Sequence, residues 1–411
     1  MEFSIYNVKF KDLFYYGKLT HIPERIIYSY KFQYLMSAEI SYRKQGLMII
    51  FGLLIVFVVV EIAANVWWQN MIHCELEENE IFQNISEEDK RQICVDLYNL
   101  RIFEREIIPN QHYDTININS EGFRGKEISI LKPDNTFRIV AVGGSTMFGA
   151  GSTSDETTIP AYLERMLKKQ NFNFEIEVIN AGIAGHYSTF ELLMIKEKIV
   201  NYKPDLLIEY DGWNDVRNKP LPSTVENNWK EVCKIGNEND FDVIIILQPL
   251  AGFGNKILTE QEQIYADTGV DYSGIHLLSL KADYYDKYAE NLKNLEFENG
   301  KKLCTKVADL QGAFDNVSEP VYWDQGHTSD NGNFIMAQEM FELVYPIILE
   351  NSSEIPSGTN DNNVREAVGE EASESLQSLS FEDLFSRYKT PIMFSQIIEE
   401  ISGNKSCRYD C

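Results

Sequence analysis

The chain has 411 residues, is 44% hydrophobic, and carries a formal net charge of −26. That apolar share is ordinary for a globular protein with a sizeable core, whereas the dispersed acidity repels phosphate backbones and excludes a nucleic-acid partner. The six cysteines (Cys74, Cys94, Cys233, Cys304, Cys407, Cys411) lack paired metal-ligand spacing, so no metal is expected.

Residues 1–46 hold seven Lys/Arg against four Asp/Glu and are rich in Tyr and Phe. They read as a cytoplasmic segment, with a short amphipathic helix on the inner membrane surface. Leu47–Trp68 follows as 22 residues, LMIIFGLLIVFVVVEIAANVWW, apolar on every face except for Glu61 and Asn65 near its far end. That length spans a bilayer core of about 30 Å as a helix. Arg43 and Lys44 flank one end, Trp67 and Trp68 the other, and Glu75, Glu77, Glu78 and Glu80 come next. The positive-inside rule then puts the N-terminus in the cytoplasm and everything after about Asn70 outside. A cleaved signal peptide fits poorly, because 46 residues precede the apolar run. All six cysteines lie beyond it. That suits disulfides in an oxidising compartment, and suits buried or free thiols equally.

Residues 69–116 read as a membrane-proximal connector. From 117 to 350, short apolar strands alternate with helical patterns. The strands are Arg138–Val142, Phe174–Ile179, Asp205–Tyr210, Val243–Leu247 and a weaker Lys306–Leu310; the helices are Ile159–Lys169, Thr189–Tyr202, Ala282–Leu295 and Asn333–Leu349. Such alternation predicts a parallel sheet covered on both faces, with ligands bound outside the carboxyl ends of its strands. Residues 351–380 have a Ser/Glu/Asn/Gly-rich linker composition, and 381–411 form a tail that regains apolar residues at helical spacing.

The informative residues fall at strand ends. The first strand runs into Gly143-Gly144-Ser145-Thr146, a turn that lifts a serine hydroxyl clear of the sheet. A phosphate-binding reading of this turn lacks its lysine, and no Gly-x-Gly-x-x-Gly is present. The second strand ends in Asn180-Ala-Gly182-Ile-Ala-Gly185 and the third in Asp211-Gly-Trp-Asn214-Asp215. Gly185 offers an unobstructed backbone N–H, Asn214 offers an amide, and with the Ser145 N–H they could converge on one oxygen. Before the last helix comes Asp324-Gln-Gly-His327, where the aspartate can accept one ring N–H of the histidine while the other nitrogen faces a serine.

Taken together, GGST, NAGIAG, GWND and DQGH in this order resemble the SGNH/GDSL hydrolase family over about 230 residues. The resemblance implies a three-layer α/β/α flavodoxin-like fold, here preceded by a transmembrane helix. It further implies Ser145 as nucleophile, His327 as general base, Asp324 as its orienting partner, and Ser145 N–H, Gly185 N–H and Asn214 as the oxyanion hole. Asn119-Ser-Glu-Gly122-Phe123-Arg124 recurs in membrane-anchored members. Gly144 departs from the pattern, which has an aspartate before the serine. The expected function is a membrane-anchored serine esterase needing no metal or cofactor and acting on an ester-bearing small molecule, lipid or glycan. Two alternatives keep the same fold: an envelope O-acyltransferase using the same residues, and an inactive membrane-tethered scaffold. Leu250–Leu280 is the candidate substrate segment, with Phe253, Tyr265 and Tyr272 as linings. His186, beside Gly185, reads as a surface or packing residue with pocket lining as the alternative, and Arg124 reads as a brace of the first turn.

Overall fold

The computed structural model describes residues 41–71, 76, 79–218, 220–270, 282–298 and 300–354. The expected amphipathic helix before residue 41, Tyr272, the C-terminal tail and all but the start of the linker lie outside the described residues.

The first unit contributes one long helix, α1 (Tyr42–Met71). Its Tyr42–Trp67 portion is long and apolar enough to cross a membrane, and none of its most apolar window is buried. A helix that is apolar on all sides has no polar stripe to turn towards water.

The second unit runs from Ile72. Helix α2 (Glu87–Asn99) is capped by Ser86, whose hydroxyl accepts from Asp89 N. Two small hairpins follow, β1 (Ile102–Phe103) with β2 (Glu106–Ile107) and β3 (Gln111–His112) with β4 (Asn117–Ile118). Then come β5 (Thr136–Gly143), α3 (Ser145–Phe148), α4 (Ile159–Lys168), β6 (Glu175–Gly182), α5 (Ser188–Glu197), β7 (Leu206–Asp211), α6 (Trp213–Asn218) and α7 (Pro222–Glu238). The chain continues through β8 (Asp242–Leu247), α8 (Glu260–Thr268), α9 (Ala282–Leu292), the short β9 (Phe297–Glu298) and β10 (Lys301–Lys302), β11 (Lys306–Asp309) and α10 (Asp330–Glu354).

Strands β5, β6, β7, β8 and β11 form a parallel sheet in the order β11-β8-β7-β5-β6. Counted by appearance this is 2-1-3-4-5, the flavodoxin-like order, whose switch point lies between the first and third strands. The central strands are buried along their length because both faces are covered. On one face Val140, Val142, Leu207, Val243 and Ile245 pack with residues of α5, α7 and α9. On the other, Ile139, Ala141, Ile208, Ile244 and Ile246 pack with α4 and α10. Alternate strand residues thus serve opposite layers, and the architecture is three-layer α/β/α.

Three features add to the pattern read from the sequence. Phe82, Ile93, Leu97, Ile107, Ile116 and Ile118 join the first of these apolar layers, so the connector from Phe82 onward packs into the same core as the sheet. Helix α7 has no counterpart among the predicted elements; it buries Val225, Trp229, Val232, Cys233 and Gly236 along one stripe. Cys233 on that helix is joined to Cys304 by a disulfide, and Cys94 is disulfide-bonded as well.

Candidate active site

Ser145 lies immediately beyond β5 and Asn214 just beyond β7, so the two flank the switch point of the sheet. Ser145 opens the single-turn helix α3, which ends on Gly149 in the left-handed region. Arg124 holds that turn from below. Its guanidinium donates to the carbonyls of Phe148, Gly149 and Thr115 and pairs with Asp155 at 2.8 Å, while Asn180 Nδ2 also donates to Phe148 O. The serine is therefore fixed at both the strand and the helix end.

His327 reaches Ser145 from the other end of the domain sequence. Its Nε2 lies 2.6 Å from Ser145 Oγ, and its Nδ1 lies 2.7 Å from Asp324 Oδ2. With an ionised Asp324 accepting, Nδ1 carries the proton and Nε2 accepts from the serine hydroxyl. Asp324 Oδ1 accepts from the backbone N–H groups of Gly326 and His327 at 2.8 and 2.7 Å. The imidazole stands edge-on to Trp213, with ring centroids 4.9 Å apart, and Trp323 covers it at 5.8 Å. Two indoles against the ring limit both its rotation and its access to water.

The other two blocks meet beside the serine. Asn214 Nδ2 donates to His186 O at 2.7 Å, which leaves its second N–H for another acceptor. A Cβ added to Gly144 would overlap that same nitrogen. This gives a physical reason for glycine before the serine: any side chain there would displace the amide. Gly185 has φ +81° and open space where a Cβ would stand. Glycine adopts that conformation without strain, and its amide has no acceptor among the described residues. The structure thus brings Ser145, Asp324 and His327 into one hydrogen-bonded chain, with Asn214 tied to the Gly185–His186 turn beside Gly144.

His186 itself is buried. Its Nε2 lies 2.8 Å from the carbonyl of Arg105, in the tip of the β1–β2 hairpin, where Glu104 and Arg105 both have positive φ. Burial pushes its pKa down to about 4, partly offset by that hydrogen bond. The ring is neutral at neutral pH and pins the hairpin to the turn.

Several clamps hold the Asp324–His327 loop and were not singled out from the sequence. The Glu262 carboxylate accepts from the N–H groups of Val321 and Tyr322 and pairs with buried Lys256 at 3.2 Å. Asn79 donates to the carbonyl of Trp323 and to the Tyr265 hydroxyl. Downstream, Asp330 accepts from the N–H and hydroxyl of Thr153, and Asn333 joins Ser152, Thr157 and Thr328. The described part of Leu250–Leu280 lies against this loop, with Ala251 N donating to Gln325 O. Of its candidate linings, Tyr265 is held by Asn79 and Phe253 packs edge-on against Tyr285.

No protein-family model matches the chain, and no curated protein does. Among solved structures it is similar to a G-D-S-L family lipolytic protein from Desulfitobacterium hafniense DCB-2, at 15% identity and TM-score 0.37, over 50% of this chain and 99% of that one. It is also similar to an acetyl xylan esterase, at 19% identity and TM-score 0.37 over 50% and 99% of the two chains. A catalytic mutant of an acetylxylan esterase from Geobacillus stearothermophilus matches at 21% identity and TM-score 0.36, over 50% and 92%.

Proposed function

We propose that this protein is a membrane-anchored serine esterase of the SGNH/GDSL type, with Ser145, His327 and Asp324 as its catalytic triad. The observation that carries the reading is the unbroken hydrogen-bonded chain from Ser145 Oγ through His327 to Asp324. An inactive scaffold has no need of a serine hydroxyl held 2.6 Å from a histidine whose other nitrogen faces a carboxylate.

In the proposed reaction Ser145 Oγ attacks the ester carbonyl carbon as its proton passes to His327 Nε2. Asp324 stabilises the imidazolium without taking its proton. The negative charge that develops on the carbonyl oxygen is received by the N–H groups of Ser145 and Gly185 and by Asn214 Nδ2. Collapse of this intermediate breaks the ester C–O bond, and the leaving alcohol takes the proton from Nε2. Water then attacks the acyl-serine, giving its proton to His327, and the acid departs as the hydroxyl returns to Ser145. The substrate class is an ester on a small molecule, lipid or glycan.

Helix α1 is the proposed anchor, through Leu47–Trp68, with the N-terminus in the cytoplasm and the catalytic unit outside. Support comes from the charge asymmetry around the helix and from the Cys233–Cys304 disulfide, since such bonds persist in oxidising compartments. The test is p-nitrophenyl acetate hydrolysis by the detergent-solubilised full chain and by Ser145→Ala. The native rate should fall by roughly 10⁴-fold or more in the variant. Equal rates in both proteins would remove Ser145 as nucleophile.

A further inference from the structure

Behind the serine site, on the face of the sheet covered by α5, α7 and α9, lies a group of acids that the proposed reaction does not use. Glu209 and Asp211 project from β7 towards that layer, and Glu191 comes from α5. One carboxylate oxygen from each lies within 4.8 Å of the others. Asp215, on α6, lies close enough for its charge to act on all three. All four side chains are shut away from solvent.

Their hydrogen bonding is unequal. Asp215 accepts from the Ser188 hydroxyl at 2.6 Å and from its N–H at 3.1 Å. Asp211 accepts from Gly212 N and, at 3.4 Å, from Trp229 Nε1. Glu191 and Glu209 have no N–H or hydroxyl donor among the described residues, and all four of their carboxylate oxygens are buried. The two glutamates lie within proton-sharing reach of each other, as Asp211 and Asp215 do. A further observation is independent of the acids. The Tyr288 hydroxyl is also buried and has no partner among the described residues, and it lies in the field of Asp215 and Asp211. Burial, and after it the charges of neighbouring acids, push Glu191, Glu209 and Asp211 well above the usual carboxylate range. One proton shared within each pair would bridge one oxygen of each partner and leave the outer glutamate oxygens and the tyrosine hydroxyl unsatisfied. A cation can meet several oxygens at once.

We propose that Glu191, Glu209 and Asp211 bind one divalent cation of the oxygen-seeking class, Ca²⁺, Mg²⁺ or Mn²⁺. Converging carboxylates with no sulfur or imidazole select that class. The expectation of no metal came from cysteine spacing, which is silent about carboxylates gathered from a helix and a strand distant in sequence. The ion would be structural. It would tie α5, which starts three residues after Gly185, to the end of β7, three residues before Asn214.

The test uses the full chain in detergent, native and Glu209→Gln, passed over a chelating resin and assayed for metal by mass spectrometry. About one ion per native chain is expected, and none in the variant. The native melting temperature should fall by roughly 5 °C or more in EDTA relative to millimolar Ca²⁺, Mg²⁺ or Mn²⁺, with no such response in Glu209→Gln. Tb³⁺, added during refolding of the native chain as a Ca²⁺ substitute, should show emission sensitised by indole excitation, since Trp229 adjoins Asp211. If Glu209→Gln fails to fold, native metal content and the chelator-dependent melt decide the matter. A metal-free native chain whose melt ignores both EDTA and the three cations overturns the proposal. A Glu209→Gln protein that melts above the native one also overturns it, because an amide facing Glu191 improves a proton-sharing pair and ruins a cation site.

Discussion

Asp324 and Glu209 are both acids shut inside the same domain, 1% and 0% exposed. Among the described residues Asp324 receives three N–H donors, whereas Glu209 receives none. The difference follows from where each sits in the chain. Asp324 lies in a loop, so the backbone N–H groups two and three residues on are free to turn back to it, and the histidine at that third position supplies the last donor. Glu209 lies inside β7, where neighbouring backbone groups are committed to ladders with β5 and β8. A buried acid in a loop can be satisfied locally. One in a central strand depends on partners from elsewhere in the fold, or on a proton or an ion.

The comparison breaks hardest at Asp324. Asp324→Asn keeps the shape of the side chain but replaces an acceptor by a donor or a neutral oxygen, favouring the wrong histidine tautomer. A loss in kcat of about 10⁴-fold is expected with little change in folding, read by ester hydrolysis alongside thermal melts. Next in size is the disulfide that closes the α7 side of the acid-containing layer. Joining residues 71 apart in sequence, it should stabilise the fold by about 4 kcal/mol in the chain-entropy account. Cys233→Ser with Cys304→Ser should lower the urea midpoint accordingly, and an unchanged midpoint would show that the bond does not constrain the unfolded chain. Asn214→Ala should then reduce kcat by about 10²–10³-fold while leaving KM nearly constant, because in the proposed reaction its amide meets charge that exists only in the transition state. A change confined to KM would make Asn214 a substrate contact instead.

The same contrast explains what could be read from the sequence. The turns after β5, β6 and β7 and the Asp324–His327 loop were legible, because their chemistry lies in contiguous residues at the ends of apolar strands. The clamps were not. Asn79 with Trp323 and Glu262 with Val321 and Tyr322 join segments 59 to 244 residues apart. Arg124, which holds the Phe148 and Gly149 carbonyls, was the exception, since it stood out in the Asn119–Arg124 motif. Glu209 was hidden within an otherwise apolar strand pattern, and Glu191 within a helical one; only the crossover from β6 to β7 brings them together. Asp215 stood beside Asn214 in a motif already noticed, but its partner Ser188 had no mark in the sequence. Helix α7 did carry a signal, with Val225, Trp229, Val232 and Gly236 at helical spacing after Pro222.

The smallest expected effect lies where the two regions adjoin, at His186. It follows Gly185 in the serine site, and two residues later Ser188 bonds Asp215 of the acid group. The groups facing the ring are the Arg105 carbonyl, the Arg105 charge and the Phe190 ring. With its pKa lowered to about 4 by burial, His186 stays neutral in the folded protein while an unfolded histidine gains a proton near pH 6.5. The unfolded state therefore binds more protons between these values. Stability contributed by the neutral ring is present above pH 6.5 and is lost as pH falls towards 4, by on the order of 2 kcal/mol at pH 4.5. His186→Gln can still donate to Arg105 O but cannot titrate, so its urea midpoint should fall less between pH 7 and pH 4.5 than the native one. Parallel losses in the two proteins would mean that acid acts elsewhere in the fold and that the hairpin contact carries no proton linkage.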